Sequence, residues 1–319
     1  FELKLLKCIP EQWQMEDSMM LAKVFTYFGL TDVQGNMEKL IVQMVQNNID
    51  EKRIKELFPY LSDDIDVELL KKVKLAPPIV PGAVKWLSRI PRFIGSNNWA
   101  VSGRHTESGK PILCGDPHLE VNRMPAIWHE VIIRLPEDTI IGFALPGTPA
   151  VIIGRNRNLA FSPTYSFMDM IDFRIEECRG GKYRRGNTWH LFDIRREIIK
   201  TKKGEEIKID FYENELGTLE GDPSVDGFYL IRQWSAGKEC GAQELNTTHH
   251  IMKAKTVREG MRLYRELDSA SFNFVMADTG GNIGYQMSGR LFNRPAGVSG
   301  LLPLPAWERK YNSRGYVSK

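Results

Sequence analysis

Two short segments stand out by the chemistry their residues could do. Gly95-Ser96-Asn97-Asn98-Trp99 sets a serine behind a glycine, and Gly109-Lys110-Pro111-Ile112-Leu113-Cys114-Gly115-Asp116-Pro117-His118-Leu119 follows soon after. A serine hydroxyl attacks an amide only when a base takes its proton. An α-amino group, with an ordinary pKa of roughly 7.7–8.0, is one of the few protein groups poised to do so near neutrality. Cleavage between Gly95 and Ser96 would put that base on the nucleophile itself. Glycine before the cut tolerates the distorted backbone that attack by Ser96 on its own preceding carbonyl requires. The competing reading of Gly95-Ser96-Asn97 is an ordinary turn ahead of a strand. No G-x-S-x-G surrounds Ser96, so a conventional serine hydrolase with an internal base lacks its signature there.

The elements that must position these residues fall into two textures. Residues 16–75 read as helical: Asp17 or Ser18 can cap a run in which Met20, Leu21, Val24, Phe25 and Phe28 recur at helical spacing, with Gly29 at its end. Further helical runs are expected from Met37 to Val45 and from Glu51 to about Tyr60. Pro77, Pro78, Pro81 and Pro91 then make residues 76–95 a linker or spacer ahead of the cut. After Ser96 short strands follow one another: Asn98 to Ser102, Ile127 to Arg134, Thr139 to Leu145 and Val151 to Ile153. Arg195 to Lys200 and Glu206 to Phe211 read as a hairpin around Lys202-Lys203-Gly204. Phe272 to Met276 and Asn282 to Met287 read as another around Asp278-Thr279-Gly280-Gly281. An amphipathic helix is expected from Lys253 to Leu267. Many strands with helices before and between them imply an α+β fold without internal repeats.

Composition bounds the function. The 319 residues are 42% hydrophobic and 26% charged, and 43 Lys and Arg against 40 Asp and Glu leave a net charge of +3. So even a balance speaks against a nucleic-acid partner. No apolar run is long enough for a transmembrane helix, so no membrane span is expected. Cys8, Cys114, Cys178 and Cys240 are widely spaced and show no CxxC pair, leaving disulfides and free thiols equally open. Zinc at His118, His129 and Glu130, or at His249-His250, lacks the close helical spacing of metal ligands.

Taken in order, the segments at Gly95 and Gly109 resemble the start of the catalytic subunit in the penicillin acylase family of N-terminal-nucleophile (Ntn) amidohydrolases. Gln12-Trp13 to Asp17, Pro146-Gly147-Thr148-Pro149, Gln233-Trp234-Ser235-Ala236 and Leu301-Leu302-Pro303-Leu304-Pro305 extend the resemblance over most of the chain. It implies a four-layer αββα sandwich, with residues 1–75 as a helical segment of the small (α) subunit and 96–319 as the first part of the large (β) subunit. It also implies autocatalytic cleavage before Ser96, the two halves remaining together as a heterodimer, and hydrolysis of a linear amide joining an apolar acyl group to an amine. Phenylacetyl-type β-lactam amides, acyl-homoserine lactones and other acyl amides all fit that description.

The resemblance also assigns roles. Ser96 is the nucleophile. In Gly154 to Tyr165 the backbone N–H of Tyr165 is an oxyanion donor, although the family usually has a small or aliphatic residue there. In Phe272-Asn273-Phe274 the side chain of Asn273 is the second donor. His118 matches a residue that hydrogen-bonds the nucleophile's amine, and histidine there leans towards the cephalosporin and acyl-homoserine-lactone acylases. Arg294, in Asn293-Arg294-Pro295, matches an arginine that braces the oxyanion asparagine and the amino terminus. Phe167-Met168-Asp169-Met170-Ile171-Asp172 resembles a calcium segment that leans towards the penicillin G acylases: Asp169, Asp172 and the Ile171 carbonyl would be ligands, joined by Glu38 from the helical part. No organic cofactor is implied, and a periplasmic or secreted setting is suggested. Around Asn214-Glu215-Leu216-Gly217, where the family often has His-Gly-Pro, this chain differs. The rival expectation is a relative that keeps the fold as a binding or structural protein and never matures.

Overall fold

The computed structural model describes residues 5, 9, 11–27, 31–75, 95–118, 127–237 and 241–318. The expected linker over 76–94, the helix end at Phe28-Gly29, and Leu119, Cys8 and Cys240 lie outside them.

The N-terminal segment supplies helices α1 (Met15–Thr26), α2 (Asp32–Gln46), α3 (Glu51–Leu57) and α4 (Val67–Lys72). Helix α1 starts earlier than Asp17 because Asp17 is in its first turn: its Oδ2 accepts the Gln14 N–H at 2.7 Å. Asp50 and Asp66 cap α3 and α4 by accepting the Lys52 and Leu69 N–H groups. The segment does not end as helix. Strand β1 (Val73–Lys74) pairs in parallel with β14 (Gly227–Trp234), Val73 opposite Phe228, and so joins the sheet of the second half.

That sheet, nine-stranded among the described residues, runs β10-β9-β8-β14-β13-β12-β11, with β1 beside β14 and β17 (Leu304–Pro305) beside β8. Its members are β8 (Ile171–Arg179), β9 (Lys182–Arg185), β10 (Thr188–Leu191), β11 (Asp193–Lys200), β12 (Glu206–Glu213) and β13 (Thr218–Glu220). The β11–β12 hairpin falls where alternation predicts it, with Gly204 at φ 84° in its turn. Ile171, Phe173, Ile175 and Leu230 form one core with Ile41, Val42 and Ile54 of the helices. Helix α2 approaches β8 so closely that a Cβ at Gly35 would lie 2.7 Å from the Phe173 ring.

A second sheet runs β16-β15-β7-β6-β5-β4. It comprises β4 (His129–Arg134), β5 (Thr139–Ala144), β6 (Val151–Arg155), β7 (Leu159–Tyr165), β15 (Phe272–Asp278) and β16 (Ile283–Met287). Helices α5 (Gly241–Ile251) and α6 (Val257–Arg265) back it. Phe161, Val151 and Met276 pack with Ile251, Val257 and Tyr264, and the Tyr264 and Phe274 rings stack 3.4 Å apart. Helix α6 begins at Val257 rather than Lys253 because Thr256 caps it, its hydroxyl accepting the Glu259 N–H.

Strands β2 (Gly95–Val101) and β3 (Ile112–His118) form a separate two-stranded ribbon that lies against β7 and β15. No helix among the described residues is long and apolar enough to cross a membrane. Among the described residues Cys114 and Cys178 are free thiols.

Candidate active site

Strand pleating puts Ser96 and Asn98 on one face of the ribbon and leaves Asn97 and Trp99 exposed on the other. Asn98 fastens that face to the sheet: its Nδ2 donates to the carbonyls of Ser162 (2.7 Å) and Asn273 (3.0 Å). Gly115, on the partner strand, permits the contact, since a Cβ there would meet Ser162 Oγ at 2.0 Å.

Ser96 meets Thr164 on β7. Thr164 Oγ1 donates to the Ser96 carbonyl at 2.8 Å, and its hydroxyl oxygen lies 2.8 Å from Ser96 Oγ. With the threonine proton engaged, the Ser96 hydroxyl is left to donate to Thr164. Tyr165 follows Thr164 in the strand, and Asn273 stands opposite Thr164 in the register. The Asn273 Nδ2 donates to the Tyr165 carbonyl at 3.3 Å, while its Oδ1 accepts the Tyr285 hydroxyl at 2.6 Å from β16. Ser96, Tyr165 and Asn273 are thus brought onto adjacent strands. Thr164 and Tyr285 escaped the sequence reading. Thr164 was detectable only as the hydroxyl residue next to Tyr165, and Tyr285 only as an alternating position opposite Asn273's strand.

His118 is at the end of β3, register-paired with Gly95. Its Nδ1 lies 3.7 Å from where a Gly95 Cβ would be, beside the Gly95–Ser96 bond. Its Nε2 is 2.7 Å from Asp116 Oδ2, a contact that lowers the Asp116 carboxyl below its ordinary value. In front of Ser96 opens an apolar pocket to which α1 contributes Ala22 and Phe25, and the second half Trp128, Phe272 and Phe274. Its free volume is about 60 Å³.

Arg294 departs from the expected role. Its guanidinium does not brace Asn273; it bonds Asp169 Oδ2 and Asp172 Oδ1, each at 2.7 Å. The reason is electrostatic. Glu38 and Asp172 are buried and Asp169 is largely desolvated; Arg294 is the cation bonded to the two aspartates, and the buried Arg174 also acts on Asp172 and Glu38. Burial works against the Arg294 charge, yet Asp172 and Asp169 outweigh it and raise the guanidinium's pKa. Burial pushes the Asp169 carboxyl up to about 7 against the pull of Arg294, with Asp172 adding to the rise. Glu38 is also raised, by burial and then by Asp172 and Asp169, while both its oxygens accept the Phe173 N–H at 3.0–3.1 Å. Hard carboxylate oxygens suit calcium. As placed, however, no group of three His, Cys, Asp or Glu among the described residues forms a metal centre, and the guanidinium supplies the positive charge.

The family model for penicillin amidase matches residues 1–319. Acyl-homoserine lactone acylase QuiP of Pseudomonas aeruginosa is 27% identical over 97% of this chain and 39% of its own length. Penicillin acylase 2 proenzyme of a Pseudomonas species is 30% identical over 70% of this chain and 29% of its own. The chain therefore spans about two fifths or less of these relatives. Among solved structures, the thermostable penicillin G acylase of Alcaligenes faecalis superposes with a TM-score of 0.61 at 20% identity, over 69% of this chain and 40% of that one. This likeness shows a shared fold, the α+β Ntn-hydrolase architecture. With the whole length matched by the family model, the chain belongs to the penicillin amidase family.

Proposed function

We propose that the protein of which this chain is part is an amidohydrolase that cuts itself between Gly95 and Ser96 and then hydrolyses linear amides of apolar acyl groups. The observation that carries this reading is the position of Ser96 between Thr164 and the mouth of an apolar pocket, with Tyr165 and Asn273 beside it. Ser96 Oγ attacks the acyl carbonyl, and its own α-amine takes the proton and later returns it to the leaving amine. The Tyr165 N–H and the Asn273 side chain hold the oxyanion, and water releases the acyl-enzyme. Asn273 serves only once its amide turns from the Tyr165 carbonyl, which the long 3.3 Å bond makes inexpensive. His118 stands where it can bond the new amine, with Asp116 orienting its ring.

Acyl-homoserine lactones and penicillins, which appear in the relatives' names, are amides of this kind and are the substrates to try first. The halves stay paired after cleavage because α2 packs on β8 and β1 pairs with β14 in the second half's sheet. Calcium is proposed on donor chemistry alone, at Glu38, Asp169, Asp172 and the Ile171 carbonyl, as a structural ion.

The test is expression of the full-length protein and its Ser96→Ala variant, followed by intact mass and N-terminal sequencing. A chain beginning at Ser96 in the parent and absent from the variant is expected, with hydrolysis of acyl amides by the mature form only. An intact parent would overturn self-cleavage and favour a non-catalytic relative that keeps the fold.

A further inference from the structure

We propose that Glu244 sets the acyl specificity of the pocket by receiving a hydroxyl carried on the acyl chain, so that hydroxylated acyl amides are the preferred substrates. The inference rests on the amidohydrolase reading and goes beyond it by naming the acyl class.

Glu244, on α5, lines the same cavity as Ser96 and is the charged residue of a lining that is otherwise apolar apart from a few hydroxyls. The Ser269 hydroxyl, fully buried, donates to its Oε2 at 2.6 Å. Among the described residues that is the hydrogen bond the carboxylate receives. Lys23, the cation that acts on it from α1, donates its ammonium to the Gly237 carbonyl at 2.7 Å instead. Burial pushes the carboxyl up to about 7, against Ser269 and Lys23, which pull it down.

A carboxylate has about four acceptor sites, and here one is used. Covering the others with a plain alkyl chain removes water without replacing its bonds, which is unfavourable. An acyl tail ending in a carboxylate meets like charge. An ammonium tail would bury an ion pair supported by a single protein hydrogen bond, where desolvation offsets the attraction. A hydroxyl suits the site in either protonation state. It donates to the carboxylate, and it gives or takes a bond with the neutral acid.

The test uses the full-length protein with Glu244→Gln and Glu244→Leu. The substrates are a straight-chain acyl amide, its isomers with one hydroxyl moved along the chain, and the analogue ending in a carboxylate. At one hydroxyl position the wild type should favour the hydroxylated amide over the plain one by about tenfold in kcat/KM, the range of one hydrogen bond to a charged acceptor. Glu244→Leu should bring that ratio to one or below and improve the carboxylate-ended amide, and Glu244→Gln should keep part of the preference. A carboxyl that merely anchors Ser269 would, on removal, slow every substrate alike and leave the ratios unchanged, which overturns the proposal. If the wild type hydrolyses none of these amides, the amidohydrolase reading has failed. Calorimetric binding of the same neutral amides to Ser96→Ala, with and without Glu244→Leu, then decides the pocket separately. Tighter binding of a hydroxylated amide that depends on Glu244 supports the proposal, and equal binding overturns it.

Discussion

Replacing Thr164 by valine removes one hydroxyl and keeps the β-branched shape that suits a strand. That hydroxyl holds Ser96 at two points, donating to its carbonyl and accepting its Oγ–H, both at 2.8 Å and both partly buried. Each such bond contributes about 0.5–1.5 kcal/mol, so losing the pair releases Ser96 by roughly 1–3 kcal/mol. At about 1.4 kcal/mol per decade, cleavage of the Gly95–Ser96 bond should slow roughly 5- to 150-fold. Thr164→Ser keeps the hydroxyl and should mature within about threefold of wild type by the same reckoning. The assay is a time course of intact mass on freshly expressed full-length protein, counting the chain that begins at Ser96, with a thermal melt as control for folding. Two results would refute the reasoning. One is Thr164→Val maturing at the wild-type rate, and the other is Thr164→Ser slowing as much as Thr164→Val.

Three further outcomes are expected. Glu244 has a folded pKa of about 7, above its ordinary 4.5, so the folded state holds its proton longer than the unfolded chain and stability falls as pH rises between those values. Glu244→Gln should gain on wild type by an amount on the order of 3 kcal/mol across that window and level off above it; parallel urea-unfolding curves at pH 4.5 and 7.5 would contradict this. Arg294→Ala strips Asp169 and Asp172 of their cation and should cost roughly 3–5 kcal/mol, read as a lowered melting temperature in EDTA. Partial recovery in millimolar calcium is the expected sign that those carboxylates accept the ion, and no recovery would remove the calcium proposal. Gly115→Ala drives a methyl group onto Ser162, whose Cβ would be 2.7 Å away, and should destabilise the protein by about 1–3 kcal/mol in chemical denaturation. Adding Ser162→Gly to the same chain should restore most of the loss.

The turn-bounded pairs were legible in the sequence. Gly204 and Gly281 supply backbone freedom where the β11–β12 and β15–β16 hairpins reverse, and alternation did the rest. The full burial of strand β8 was not, because Asp172, Arg174 and Glu176 alternate with Ile171, Phe173 and Ile175 as in a strand with one wet face. In the structure both faces are buried. Arg294 and Arg185 hold Asp172 and Glu176, while the apolar residues meet α2. Helix α5 was missed because Gly241 to Ile251 carries few apolar residues to mark a stripe, and with it went Glu244. Ser96, Tyr165 and Asn273 are assigned through family resemblance, and the structure brings them onto neighbouring strands. That Arg294 bonds Asp169 and Asp172 could not be read from the sequence, because an arginine's target is set by which buried carboxylates lie within reach, and that depends on how α2 brings Glu38 to β8.

Glu38 on the Phe173 backbone, Lys39 on Glu220 at 2.6 Å and strand β1 against β14 tie residues 31–75 to the second half at points scattered along both. The peptide bond before Ser96 is one link among many between these pieces. With these ties on either side of the proposed cut, the two fragments should melt in a single transition. Supplied as separate polypeptides, they would have to find each other at the low concentrations of a cell, whereas in one precursor the tether holds each at high effective concentration for the other. If the bond is cut as proposed, the uncut chain serves as an assembly aid, needed while the sheet forms and dispensable afterwards.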